Sequence, residues 1–158
     1  MKFGIGLLSL RLVVIAVVAI DVAQADDEIF DIHNKTYLAE CGGSCHVAYP
    51  PQLLPAASWR SVMGTLDRHF GTDASLDPRQ SAAILDDLVA RSGKRDAVTA
   101  DGKPILRISE TAWFRREHDE LSATVWGRPV IKSAANCVAC HRNAEAGDYR
   151  ERSLRIPK

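Results

Sequence analysis

The sequence predicts a mostly α-helical protein made of two small halves with long ordered loops. Three observations predict it. No segment alternates apolar and polar residues with a period of two, the signature of a half-buried strand. Several segments instead carry apolar residues at helical spacing, two of them between start and stop signals. One short arrangement of two cysteines and a histidine also occurs twice, with 96 residues from the first cysteine of one copy to that of the other.

The first 25 residues are set aside from the fold. Lys2 and Arg11 are basic, Leu12 to Ile20 is an apolar run, and Ala23-Gln24-Ala25 is a small-x-small cleavage site, together the pattern of a secretory signal peptide. The alternative is a membrane anchor. A spanning helix needs about 20 apolar residues, and a span counted from Phe3 would carry Arg11 near its centre, at roughly 2.5–3.5 kcal/mol. The expected mature chain therefore starts at Asp26, lies in the periplasm and makes no stable membrane insertion. Removal of residues 1–25 takes away Lys2, Arg11 and Asp21, leaving 18 basic and 19 acidic residues. Such a balance argues against nucleic acid as a partner.

A short helix is expected over residues 28–40, leading into the first motif. Pro50, Pro51 and Pro55 then mark an ordered loop. Ser58 is a candidate N-cap for a helix through Phe70, closed by Gly71. On it Trp59, Val62, Met63, Leu66, His69 and Phe70 fall within an arc of about 120°. The next helix has Asp77 as N-cap, Pro78 at its first position and Gly93 at its end, with Ile84, Leu85, Leu88 and Val89 on its apolar face. Residues 94–108 lose the pattern, with a turn at Gly102 and Pro104. A third helix is expected over 110–121, where Phe114, His118 and Leu121 share a face. The halves are taken as 26–96 and 97–158. Each has about 65 residues, too few for hydrophobic burial alone to stabilise well, so each core is expected to be completed by something large and apolar.

The second motif, Cys137-Val138-Ala139-Cys140-His141, is C-x-x-C-H, the attachment signature of c-type haem. Two thiols three residues apart reach two vinyl groups on one porphyrin edge, and the next histidine binds the iron. Four cysteines in an exported protein must be used, and the rivals are a four-cysteine zinc site and two disulfides or a redox dithiol. Zinc gives His46 and His141 no role, and a thioredoxin-like dithiol wants a βαβ context that is absent. Covalent haem uses every one of these residues.

The first motif, Cys41-Gly42-Gly43-Ser44-Cys45-His46, is one residue longer. On an ideal helix the extra residue adds 100° and 1.5 Å, which displaces Cys41. The insertion falls on two glycines, whose backbone freedom could bulge the added residue outward. A second axial ligand for each iron must come from His33, His69, His118 or Met63. His69 lies 23 residues after His46 and His118 lies 23 residues before His141, so each half holds one spare histidine. Met63 is read as core and His33 as surface.

The segments "ECGGSCHVAYPPQLLPAASWRSVMGTLDRHFG", "SLDP", "ISETAWFRREH" and "SAANCVACHRNAEAGDYRERSLRIP" resemble the small dihaem cytochrome c family of proteobacteria. The resemblance spans Tyr37 to Pro157. It implies two covalent haem c groups, each with two histidine ligands, and a role in electron transfer. It implies an N-terminal half like a class I cytochrome c and a smaller C-terminal haem domain. In some genomes this family accompanies an oxygen-binding monohaem c-type cytochrome and a membrane b-type cytochrome, which become the expected partners. Carried onto this chain, Cys41, Cys45, Cys137 and Cys140 form the thioethers, His46 and His141 are the proximal ligands, and His69 and His118 the distal ones, paired within halves. The departure is the extra glycine of the first motif, which puts normal attachment of the first haem in question. The alternative function is a small dihaem enzyme, a peroxidase or reductase with one labile iron ligand; as an electron carrier the protein has no catalytic residues.

Overall fold

The computed structural model of the chain describes residues 29–43 and 45–158. The expected signal peptide and Glu28 lie outside them; the first helix, expected over 28–40, begins only at Lys35, and residues 29–34 are not helical. The described chain is mostly helical, with isolated β-bridges and no named strand. Its α-helices are α1 (Lys35–Cys41), α2 (Ala56–Met63), α3 (Pro78–Ala90), α4 (Ala112–Glu117) and α5 (Ala123–Trp126), with six short 3₁₀ turns between and after them.

Helix α1 begins where the Asn34 side chain accepts from the Tyr37 N–H, and it delivers Cys41 as its last residue. The Pro50–Pro51 loop is ordered as expected. Both prolines are buried, and the Trp59 indole N–H donates to the Pro51 carbonyl at 2.8 Å. The helix start lies earlier than expected. Helix α2 begins after Pro55, and Ser58 sits buried inside it with a hydroxyl that finds no partner, so Ser58 is not the cap. Nor does the helix reach Phe70. It stops at Met63, Gly64 forms its C-cap, and the Thr65 hydroxyl back-bonds to the Ser61 carbonyl at 3.0 Å. A separate 3₁₀ turn, Leu66–Arg68, carries the chain to His69. His69 and Met63 therefore do not share a helix.

Helix α3 starts as read. The Asp77 carboxylate accepts from the Arg79 and Gln80 N–H groups, and Pro78 takes the first position. It ends at Ala90 instead of at Gly93, whose N–H donates to the Leu54 carbonyl at 2.9 Å. Helices α2 and α3 pack on each other, and α3 packs on α1. Their shared core holds Tyr37, Leu54, Trp59, Met63, Ile84 and Leu88. Each fully buried aliphatic side chain contributes about 1.5–3 kcal/mol. Met63 is core, as expected.

Residues 94–108 contain the expected turn, closed by the Gly102 N–H on the Thr99 carbonyl. The third expected helix is shorter than its pattern. Thr111 caps α4 by accepting from the Phe114 N–H, and His118 is already the C-cap residue. Helix α5 follows from Ser122, a segment without a strong sequence signal. The C-terminal region buries Phe114, Ile131 and Ala144. The start of the described chain joins it. The Phe30 N–H donates to the Gly147 carbonyl at 2.9 Å, and the Phe30 ring meets Tyr149 edge-on at 5.7 Å. Among the described residues no helix is long and apolar enough to cross a membrane.

Candidate haem-binding sites

The second motif is one tight turn. A 3₁₀ segment, Cys137–Ala139, is followed by Cys140, and the His141 N–H donates back to the Cys137 carbonyl at 2.8 Å. This i to i+4 bond brings the two thiols and the imidazole to the same side of the chain. The C-terminal segment clamps the turn: the Arg155 N–H donates to the Cys140 carbonyl at 2.9 Å. A cavity of about 320 Å³ opens beside it, lined among others by Cys137, Cys140, His141, His118, Trp126 and Tyr149.

His118 enters this cavity from the end of α4. Its ring stacks on Phe114 at 4.0 Å and lies 5.9 Å from Trp126. Its Nδ1 is 2.8 Å from the Phe114 carbonyl oxygen. A carbonyl only accepts, so Nδ1 carries the hydrogen and Nε2 is left as the free lone pair. The His118 and His141 ring centroids stand 6.1 Å apart. Burial, and then His118, pull the His141 pKa down, against Asp148 and the Tyr149 backbone.

The first motif is built differently. Cys41 ends α1 and the chain leaves the helix at Gly42. Gly43 has φ of +114° and donates its N–H to the His46 carbonyl at 2.9 Å. Only glycine adopts that backbone without strain, so the chain doubles back on the residue expected to absorb the insertion. Cys41 is partly buried and Cys45 exposed. His46 Nδ1 lies 2.7 Å from the Val47 carbonyl oxygen, which again leaves Nε2 free.

Facing it is His69, held in a turn closed by the Thr72 N–H on the His69 carbonyl at 3.0 Å. Phe70 and Gly71, at φ of +49° and +98°, form the two central positions. The Phe70 ring is capped by the Arg107 guanidinium at 4.1 Å. Burial, then His46, then Arg107 lower the His69 pKa. His46 and His69 have ring centroids 6.1 Å apart, the same as the second pair.

Those separations suit one metal ion between each pair. An imidazole nitrogen binds a transition metal at about 2.0–2.1 Å, and adding the half-width of a ring on each side gives roughly 6 Å between centroids. The chain brings together His46 with His69 and His118 with His141. It places His33 apart, exposed beside Asp31. The four thiols are free. Burial pushes Cys41 and Cys137 up to about 11, the reverse of an activated dithiol. Among the described residues no cluster of three or more histidine, cysteine or acidic side chains is placed to hold a metal, so the thiols are not gathered into a zinc site. The donors, the free Nε2 atoms and the apolar cavity walls fit covalent haem.

Several residues of these sites carry no motif. Tyr49 stacks on His46 at 4.6 Å and 15°, Tyr149 lies 5.2 Å from His141, and Phe30 and Trp126 complete the second cavity. Burial raises the phenols of Tyr49 and Tyr149 well above the ordinary tyrosine range. A tyrosine three residues after His46 and directly before two prolines was the one available cue.

The family model for dihaem cytochrome c matches residues 37–149. The fold is similar to the solved diheme cytochrome c from Rhodobacter sphaeroides, at 39% identity and a TM-score of 0.67, over 77% of this chain and 100% of that one. It is equally similar to the diheme cytochrome type c from Shewanella baltica OS155, at 40% identity and a TM-score of 0.67, over 78% of this chain and 93% of that one. No match was found among the curated proteins. With the matched region covering most of the sequence and both motifs inside it, the chain belongs to the dihaem cytochrome c family and carries two covalently bound haem c groups.

Proposed function

We propose that the protein is a periplasmic electron carrier in which both irons are closed by two imidazoles. In this reading Cys41 and Cys45 hold the first haem, with His46 proximal and His69 distal. Cys137 and Cys140 hold the second, with His141 proximal and His118 distal. The observation that supports it best is the repeated 6.1 Å separation of the two histidine pairs. With a histidine on each side, no axial position is left for a substrate, which disfavours a peroxidase or reductase.

Bound haem supplies a one-electron couple at its iron. The chain sets the conditions of that couple. The Val47 and Phe114 carbonyls fix the tautomers and ring orientations of His46 and His118. Two imidazoles favour a lower potential than an imidazole with a methionine, and Met63, the methionine of the mature chain, is committed to the core. Phe114, Trp126 and Tyr149 exclude water around the second pair. Exposed Cys45 places one attachment point of the first haem where a partner can approach. The partners are a monohaem c-type cytochrome and a membrane b-type cytochrome, met through the small transient surfaces usual for redox encounters. Residues 26–96 and 97–158 form the two haem domains, the first like a class I cytochrome c, after cleavage behind Ala25.

Mass spectrometry of the exported protein tests the attachment and the cleavage together, by counting two haems on a chain starting at Asp26. The visible spectrum tests the ligands: both ferric haems are expected to be low-spin, and the reduced protein to ignore carbon monoxide. A high-spin band or carbon monoxide binding would favour the enzyme.

A further inference from the structure

Tyr49 touches both haem-binding regions. Its ring lies face-on against the His46 imidazole, with centroids 4.6 Å apart and planes 15° from parallel. Its hydroxyl donates to the Ala135 carbonyl at 2.7 Å. Ala135 stands two residues before Cys137, at the entrance to the second motif. The two ends of one side chain thus join a ligand of the first site to the attachment segment of the second, across 86 residues of sequence.

The backbone that carries this ring is held from behind. The hydroxyl of Tyr37, a residue buried in the α1–α2–α3 core, donates to the Tyr49 carbonyl at 2.7 Å. Pro50 and Pro51 follow, both buried, and a residue before proline has few backbone conformations. The receiving carbonyl is also in a fixed place. Asn136, next in the chain, donates from its side chain to the Ile131 carbonyl at 3.0 Å, and its own carbonyl accepts from the Ala139 N–H at 3.1 Å. A ring held at its backbone and at its hydroxyl cannot swing, so it limits how the stacked imidazole can turn.

We propose that Tyr49 is a positioning residue that sets the plane of the His46 imidazole from the attachment segment of the second haem, and so makes the potential of the first haem depend on how the second site is built. The stack orients the ligand and the hydroxyl supplies the reference. Phenylalanine at this position would keep the stack and lose the reference; leucine would lose both. Ligand orientation is one of the levers by which a protein tunes its iron. This inference rests on the assignment of His46 and His69 to the first iron.

The test uses the exported, fully haem-loaded protein with three replacements: Tyr49→Phe, Tyr49→Leu and His69→Ala. The His69→Ala protein identifies which low-spin signal belongs to the first haem, because that signal turns high-spin. Tyr49→Phe is expected to keep two haems by mass and to stay low-spin, while the reduction potential and the low-spin paramagnetic resonance values of the first haem shift and those of the second stay. Tyr49→Leu is expected to shift the first haem further. Wild-type potentials and resonance values in both Tyr49 variants would overturn the proposal, as would a shift confined to the second haem. A His69→Ala protein with both haems still low-spin would refute the ligand assignment, and the Tyr49 proposal with it. A high-spin His69→Ala protein beside unchanged Tyr49 variants would sink the Tyr49 proposal alone.

Discussion

The two Cys–Cys–His segments deliver the same three side chains by different backbones. In the second, one bond from His141 N–H to the Cys137 carbonyl closes a helical turn. In the first, Cys41 is the end of α1, the chain breaks at Gly42, and Gly43 turns back to bond the carbonyl of His46. Yet the histidine of each motif faces a second histidine at 6.1 Å. The spacing between the cysteines therefore does not by itself set the separation of the two rings, since two different local folds give the same one.

The histidines that face His46 and His141 differ too. His118 is stacked on Phe114 and bonded to its carbonyl. His69 sits in an irregular turn beside exposed Phe70. Replacing either by alanine is expected to have the largest effects on the protein, converting one haem and only that haem to high spin. His118→Ala should also lower the melting temperature more than His69→Ala, since it removes a packed ring. Thermal unfolding followed at the haem band checks this, and equal losses in the two variants would show that the two distal pockets are equally tight.

Gly147 offers the next largest effect. It has φ of +73°, and a Cβ there would stand 2.0 Å from the Phe30 carbonyl oxygen. Gly147→Ala combines a left-handed backbone with that clash, and should cost about 2–4 kcal/mol in denaturant unfolding. The damage should fall on the second site, where Phe30 meets Tyr149.

What was legible in the sequence was what is decided locally. Asp77-Pro78 could be read as a helix start because its bonds go to Arg79 and Gln80, two and three residues on. The second motif could be read as a haem site because its chemistry fits in five residues. Ser58 was misread because α2 starts after Pro55, whose carbonyl accepts from the Ser58 and Trp59 N–H groups without any side-chain cap. The helical period carried His69 onto a helix that ends at Met63. His69 still faces His46, but a 3₁₀ turn brings it there. Tyr49 was invisible as a site residue because its hydroxyl bonds a carbonyl 86 residues away.

Gly43 tests the first motif directly. An added Cβ there meets nothing within 4 Å, so Gly43→Ala isolates the backbone cost, about 1–3 kcal/mol, and should lower occupancy of the first haem alone. Deleting Gly43 instead gives C-G-S-C-H, with the spacing of the second motif. The deletion is expected to leave two haems by mass, because only the bulged residue has gone. Loss of the first haem would mean that the longer spacing is required, not merely tolerated.

The smallest expected effect separates the two regions by acid. Each region carries a partly buried ion pair, Asp87–Arg91 at the end of α3 beside the first core and Asp148–Arg150 in the segment closing the second site. The Arg150 guanidinium makes two bonds of 2.8 Å to the Asp148 carboxylate, and it holds that carboxyl well below the usual range. A carboxylate with a lowered folded pKa stabilises fully above its unfolded value, about 3.9, and loses that contribution as the pH falls through its folded value. The second haem should therefore lose low-spin ligation at a higher pH than the first in an acid titration. Asp148→Asn cannot titrate and lacks this stabilisation at every pH, so it should weaken the second site slightly at neutral pH and move the acid transition of the second haem to higher pH while that of the first stays. A second-haem transition that does not move in that variant would place the acid sensitivity on another group.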